Sequence, residues 1–549
     1  MSFRSFLCIL GWMLLLPLQL FAQYYTVRGR VVDKYSRQPV PYANVSLYGQ
    51  PGQGASTDSL GVFRIERVSP GIHQLSVSCI GYKNLLSPEY IVSAQLPPVE
   101  LELEEDASQL AEVTVQAAAP FRRIKESPVS LQIIGLSEIE KSPGGNRDIS
   151  RIVRSYPGVS FSPIGYRNDL IVRGGSPSEN RFYMDGIEIP NINQFATQGA
   201  SGGPVSILNA DLIREVQFYT GAFPADKGGA LSSVMDIRLR DGNPDDQTFK
   251  ATLGASEVSL SGAGHFGEKT TYLFSVRQSY LQLLFKMLGL PFLPNYIDGQ
   301  FKIKTRLTLT DELIFLGLTG IDNMKLNTDE EGEDAEYMLS YLPRIKQQTF
   351  TLGAAYKHYA GRHVQTVSLG YNYLANQNLK YANNDDSSPD NLNLDLSSHE
   401  QKATLRAENR THGERWTLTE GVEAWYARYD DHTFQRLFAG GMQQVREQQG
   451  LCYSIYSYGA GHADTGVFCI YTAGRLTNDG RPRWACASTA ATTRVPWRAS
   501  GRTCRPISPC RGACVPPWPS TLPWAFTTSC RPTPGWATRM QQVCMPTNR

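Results

Sequence analysis

Thr349-Phe350-Thr351-Leu352-Gly353-Ala354-Ala355-Tyr356-Lys357 decides the fold class. Phe350, Leu352, Ala354 and Tyr356 fall on one face and Thr349, Thr351, Gly353 and Lys357 on the other. Side chains of a strand alternate between faces, so this segment is a strand with one dry and one polar side. The same period recurs on both sides of it. Phe301, Ile303, Leu307 and Leu309 interleave with Lys302, Lys304, Arg306, Thr308 and Thr310. Val367, Leu369, Tyr371 and Tyr373 interleave with Thr366, Ser368, Gly370 and Asn372, and Trp416, Leu418, Val422, Ala424 and Tyr426 share a further face. Polar faces carrying Lys and Arg suit a wet lumen better than either surface of a small sandwich, so residues 246–445 read as an antiparallel transmembrane β-barrel wall. The acidic stretch 327–336 and the Asn- and Asp-rich stretch 383–398 read as its loops. About eight strand-like runs lie between 249 and 426; a barrel that small is filled by its own side chains and cannot enclose the segment 121–245 that precedes it, so the wall reads as incomplete. Open terminal strands would leave backbone groups unpaired in lipid, and such a product is expected to fail to insert.

Upstream, residues 121–245 hold short β runs broken by paired glycines, with a helix expected from Ile149 to Arg154. Their blocks are Leu170-Ile171-Val172-Arg173-Gly174-Gly175, Phe182-Tyr183-Met184-Asp185-Gly186-Ile187, Ile213 to Phe218, and Gly228-Gly229 to Ile237. In this order they resemble the plug domain of TonB-dependent outer-membrane receptors, with Arg173, Gly174, Gly175, Asp185 and Gly186 at matching positions. Such receptors close with 22 strands. The linker 107–120 carries Leu110-Ala111-Glu112-Val113-Thr114-Val115-Gln116-Ala117. A short extended segment of this kind can add as a strand to another protein's sheet edge. Placed ahead of a plug, Glu112, Val113, Thr114 and Val115 resemble a TonB box, which implies TonB in the periplasm as partner.

Residues 23–106 read as a small antiparallel β-sandwich, with Ala43, Val45 and Leu47 forming a dry face between Tyr42, Asn44, Ser46 and Tyr48. Gly29-x-Val31-x-Asp33, Gln38-Pro39-Val40-Pro41-x-Ala43-x-Val45, Thr57-x-x-x-Gly61-x-Phe63 and Ile80-Gly81-Tyr82 resemble the carboxypeptidase-regulatory-like domain, which implies an accessory, non-catalytic module. No zinc-peptidase set accompanies it: His399-Glu400 lacks the second His of an H-E-x-x-H site. Residues 1–22 read as a secretory signal peptide, with Arg4, the apolar run Phe6 to Leu16, and Ala22 at the cleavage point.

The 549 residues carry 53 Lys+Arg and 51 Asp+Glu, a near-neutral sum of two unlike pieces. Residues 451–549 hold 11 Arg, no Lys, two Asp and no Glu (+9), leaving 42 basic and 49 acidic groups (−7) in the other 450. An acidic body excludes a nucleic-acid binder. Eight of ten Cys and five of eight Trp lie in the same 99 residues, in spacing that matches no metal site. The stretch 446–549 therefore reads as an anomalous tail without a stable fold, translated out of frame from a point between about 445 and 475. No triad, metal set or paired-carboxylate site emerges, so no enzyme and no cofactor are expected. The reading that results is an outer-membrane receptor with its N-terminal domain in the periplasm, embedded in lipid, taking up a scarce small ligand from outside. Its alternative is a non-transporting surface or signalling receptor that binds a partner through the sandwich.

Overall fold

A computed structural model describes residues 24–93, 96–105, 130–145, 147–160, 168–196, 202–224, 226–254, 256–330, 332–413, 416–437, 440–461, 467–476 and 482–486. The signal segment, Glu112 to Val115 and everything beyond 486 lie outside the described residues.

The sandwich packs a three-stranded sheet (Val62–Val68, Tyr25–Asp33, Val99–Leu103) on a four-stranded one (Gln50–Ser56, Asn44–Leu47, Leu75–Ser78, Leu85–Leu86). Its dry face is the expected one: Ala43, Val45 and Leu47 are buried against Phe63, Ile65, Leu75 and Val77. Two details differ from the sequence reading. Tyr25–Asp33 pairs in parallel with Val99–Leu103, so the sheet is mixed. The run 72–80 breaks at Gln74 into Gly71–His73, paired with Tyr90–Val92, and Leu75–Ser78, paired with Asn44–Leu47.

The plug is a five-stranded mixed sheet in the order Leu131–Ile134, Ile213–Tyr219, Ser233–Leu239, Asn180–Met184, Ile187–Ile189. The expected helix forms as Ile149–Ile152 continued by a 3-10 turn, Val153–Ser155, and Asp148 caps it by accepting from the Ser150 amide. Ile139, Ile149, Ile152, Val216, Phe218, Met235 and Ile237 form one core with the sheet.

The wall is a twelve-stranded antiparallel meander in sequential order, from Thr248–Leu253 to Pro482–Cys486. Nine of its strands precede residue 438, not eight, and three more (Gly440–Gly461, Val467–Leu476, Pro482–Cys486) continue past the point where alternation fades in the sequence. Leu307 and Leu309 sit in the turn 307–310 rather than on a strand. Residues 392–398 belong to the strand Leu392–His412, not to a loop. Leu392, Leu394 and Leu396 keep period two there, and the interleaved Asn and Asp hide it from a composition reading. Strands lengthen from 10 residues at Glu257–Phe266 to 22 at Trp416–Leu437, and roughly 10 residues suffice to cross a bilayer. Chain ends alternate between short turns (267–269, 307–310, 361–362) and long loops (280–291, 327–343, 382–391). A helix, Glu333–Tyr341, folds inside the acidic loop. The outward face exposes Val258, Phe301, Phe350, Leu352, Leu369 and Val422. No helix among the described residues is long and apolar enough to cross a membrane, so any crossing is by strands.

Candidate functional site

The plug-motif residues do local work first. Arg173 adopts φ 52° and Gly174 φ 77°, reversing the chain after the strand Ile171–Val172. Gly175 then passes so close to the closing stretch that an added Cβ would sit 1.7 Å from Ser232 Oγ and 2.5 Å from Glu179 Oε2. Asp185 (φ 47°) and Gly186 (φ 87°) are the two residues of a tight hairpin between Asn180–Met184 and Ile187–Ile189. Both left-handed positions are the reason an Asp-Gly pair stands there. The Asp185 amide donates to Ile237 O (2.9 Å), and its Oδ1 accepts from the Leu239 amide (3.1 Å), tying the hairpin to Ser233–Leu239.

The same residues face the wall. Asp185 Oδ2 lies 2.9 Å from Lys302 Nζ. Glu188, on the returning strand, meets Lys402 at 2.5 Å, and Asp226 meets Arg406 at 3.1 Å. Three plug carboxylates thus pair with three wall cations. The complement also holds: wall Asp298 accepts from Gln194 Nε2 (2.9 Å) and wall Asp322 from the Phe195 amide (2.6 Å). Arg277 donates to Ser206 O at 2.8 Å, Asn209 Nδ2 to Ser275 Oγ at 2.7 Å, and Asn372 to Glu188 O at 3.0 Å. Leu273, Leu316 and Leu318 of the wall join the plug core. The sequence reading assigns the polar wall face to water. The structure gives much of it to the plug, whose backbone and carboxylates satisfy the groups that water would otherwise solvate. Alternation shows that this face is polar but says nothing of what covers it.

Plug acids are held charged. Burial pushes Glu188 up, but Lys402 and then Arg181 outweigh it and leave the carboxyl below its usual range. Burial is likewise overcome at Asp226 by Lys227 and Arg406, and at Asp236 by Arg238 and Lys227. Lys227 also lies 4.3 Å from the Tyr183 ring centre, a cation over an aromatic face. A small recess of about 60 Å³ between hairpin and wall is lined by Arg181, Glu188, Glu400 and Lys402 among others. Among the described residues no group of three His, Cys, Asp or Glu could hold a metal. The plug-motif residues Arg173, Gly174, Gly175, Asp185 and Gly186 shape a domain and seat it.

A mixed-sheet plug seated on the polar face of a long antiparallel wall, with the other face apolar, is the arrangement of a plugged β-barrel. Comparison with known proteins narrows it. Residues 27–115 match the family model of the CarboxypepD_reg-like domain, and residues 123–234 that of the TonB-dependent Receptor Plug Domain. The second of these models describes a domain of TonB-dependent receptors, which the chain resembles over that stretch. It is similar to the TonB-dependent transporter Oar of Myxococcus xanthus, 25% identical over 241 residues covering 41% of this chain and 21% of the relative. It is also similar to the uncharacterised protein YddB of Escherichia coli, 28% identical over 157 residues covering 25% of this chain and 19% of the relative. The matched stretch therefore spans about a fifth of either relative's length. Among solved structures, the ferric enterobactin receptor PfeA of Pseudomonas aeruginosa aligns at a TM-score of 0.49 and 16% identity, covering 66% of this chain and 59% of that one. The outer membrane transporter YddB of Escherichia coli aligns at 0.45 and 12%, covering 65% and 58%. Residues 383–475 also match the model described as Peptidase M16 inactive domain. In the structure the described part of that span is consecutive wall strands, Leu392–His412 through Val467–Leu476, in one sheet with the rest, so it is wall and no separate domain.

Proposed function

We propose that the chain is a TonB-dependent transporter that captures a scarce small nutrient outside the cell and admits it when periplasmic TonB pulls on the plug. Glu112, Val113, Thr114 and Val115 are the coupling strand in this reading, and the sandwich is a periplasmic accessory module. The observation that carries it is the plug–wall interface: beside the apolar contact made by Leu273, Leu316 and Leu318, it is charge-matched and hydrogen-bonded. Such an interface can be rehydrated when a force opens it, because water replaces each lost partner, whereas parting an apolar core exposes surface at about 25 cal/mol per Å². The test is Val113→Pro with Val115→Pro in a full-length, in-frame homologue. Proline removes the ladder N–H groups that strand addition needs. Ligand should still bind, and accumulation should fall to the level of a TonB-deficient cell. Unchanged uptake removes the coupling role. Binding without any TonB-dependent uptake by the parent protein favours the non-transporting receptor in which the sandwich is the binding module.

A further inference from the structure

Sandwich, wall and plug meet at the short-turn end of the wall. The turn after the first sandwich strand is built by Asp33, whose Oδ1 accepts from the Tyr35 amide (2.9 Å), the Ser36 amide (2.6 Å) and Ser36 Oγ (2.9 Å). That turn holds Arg37 at φ 59° and sets two side chains against the wall. Tyr35 stacks on His412 with ring centroids 4.2 Å apart and planes 16° from parallel. The Arg37 guanidinium lies 4.9 Å from the Tyr359 ring centre and donates to Glu312 Oε1 at 3.0 Å, while holding Glu100 and Glu102 (2.6 Å) in its own domain. The Arg37 and Glu312 side chains are 6% and 4% exposed.

From Glu312 the charges alternate without a gap. Glu312 lies 3.6 Å from Lys304, Lys304 lies 3.3 Å from Asp241, Asp241 lies 2.8 Å from Lys302, and Lys302 ends on Asp185 at 2.9 Å. Asp185 is the plug hairpin that caps the strand Ser233–Leu239. We propose that this ladder is a latch: the docked sandwich stabilises the plug hairpin in its seat, and undocking the sandwich loosens it. The reason is the sign alternation. When Arg37 leaves, Glu312 is a buried carboxylate with one strong partner fewer, and a buried charge that loses a partner draws on those that remain. Lys304 turns toward Glu312, Asp241 loses Lys304 and takes more of Lys302, and Asp185 is released. The inference does not depend on whether the protein transports anything.

The test uses the full chain in detergent and reads both ends of the ladder. Trypsin cleavage after Arg37 reports docking, because a buried arginine is not cut. Hydrogen exchange at the Asp185 and Leu239 amides reports the plug hairpin, with Asp185 lying 148 residues beyond Arg37 in sequence (185 − 37). Tyr35→Ala leaves every ladder charge in place and removes only the ring stack; it should raise both by about tenfold. Glu312→Gln should raise cleavage alike but leave exchange unchanged or slower, because Lys304, freed of Glu312, stays with Asp241 and Lys302 stays with Asp185. Faster cleavage with unchanged exchange in Tyr35→Ala would show a docked domain that is no latch and overturn the proposal, as would exchange that rises equally in both variants or cleavage that changes in neither.

Discussion

Glu104 closes the sandwich at its last strand and is shared by Lys34 (3.2 Å) and Lys83. Burial opposes its ionisation, but Lys34, Lys83 and His412 bring its carboxyl down to about 2. A carboxylate lowered on folding stabilises the fold above its unfolded value, near 4.3, and that contribution is lost as pH falls toward 2. Glu104→Gln should therefore cost about 1–2 kcal/mol at pH 7, with partial exposure discounting the shift, and almost nothing near pH 2. Denaturant unfolding at the two pH values checks it; an equal loss at both would assign the effect to packing. Residues of this kind were invisible in the sequence. Glu104 lies in an acidic run at the end of the sandwich that names no partner, and its cations come from 70 and 21 residues away. Arg37 and Tyr35 were equally silent, since an S-R-Q-P turn carries no sign that a wall stands opposite. By contrast Asp185-Gly186 declared its turn, because left-handed backbone restricts residue choice locally.

At the scale of elements, the Arg173-Gly174-Gly175 reversal and the strand Ser233–Leu239 are one unit. Gly175→Ala places a methyl against Ser232 and Glu179, whose hydroxyl–carboxylate bond fills that space. Overpacking of this sort should destabilise the plug by about 1–3 kcal/mol, while Gly174→Ala acts through backbone strain of about 1 kcal/mol. Thermal melting of the purified chain would show it, and an unchanged midpoint for Gly175→Ala would contradict the close approach. Strands with clean alternation, such as Arg344–Ala360 and His363–Tyr381, were legible residue by residue. Leu392–His412 was half-missed because Asn and Asp occupy its polar face where it runs toward the loop end. The parallel pairing of Tyr25–Asp33 with Val99–Leu103 has no local signature, since pairing direction is set by where the intervening chain travels.

Over the whole molecule, seating of the plug is electrostatic and so depends on acid. Glu188, Asp226 and Asp236 are all held below the ordinary carboxylate range, burial notwithstanding, by Lys402 and Arg181, by Lys227 and Arg406, and by Arg238 and Lys227 respectively. Their contribution is complete above about pH 4 and lost as pH falls through the lowered values. Hydrogen exchange in the plug should rise on acidification below about pH 4 while the outer wall ladder holds; a pH-independent plug would sink this. The tail belongs to the same scale. We propose that its change of composition marks a shift of reading frame between residues about 445 and 475, and resequencing decides it: a single-base correction there should restore Lys and Glu downstream. An unaltered gene whose product carries four disulfides in that region would refute it. The sequence by itself determined the sandwich, the plug and the two-faced wall, because strand period and turn chemistry are written in neighbouring residues. Only the tertiary structure decided what the polar wall face touches and that Arg37, Glu312, Lys304, Asp241, Lys302 and Asp185 form one line. Charges far apart in the chain become partners only when the fold removes the water between them, and no local pattern records that encounter.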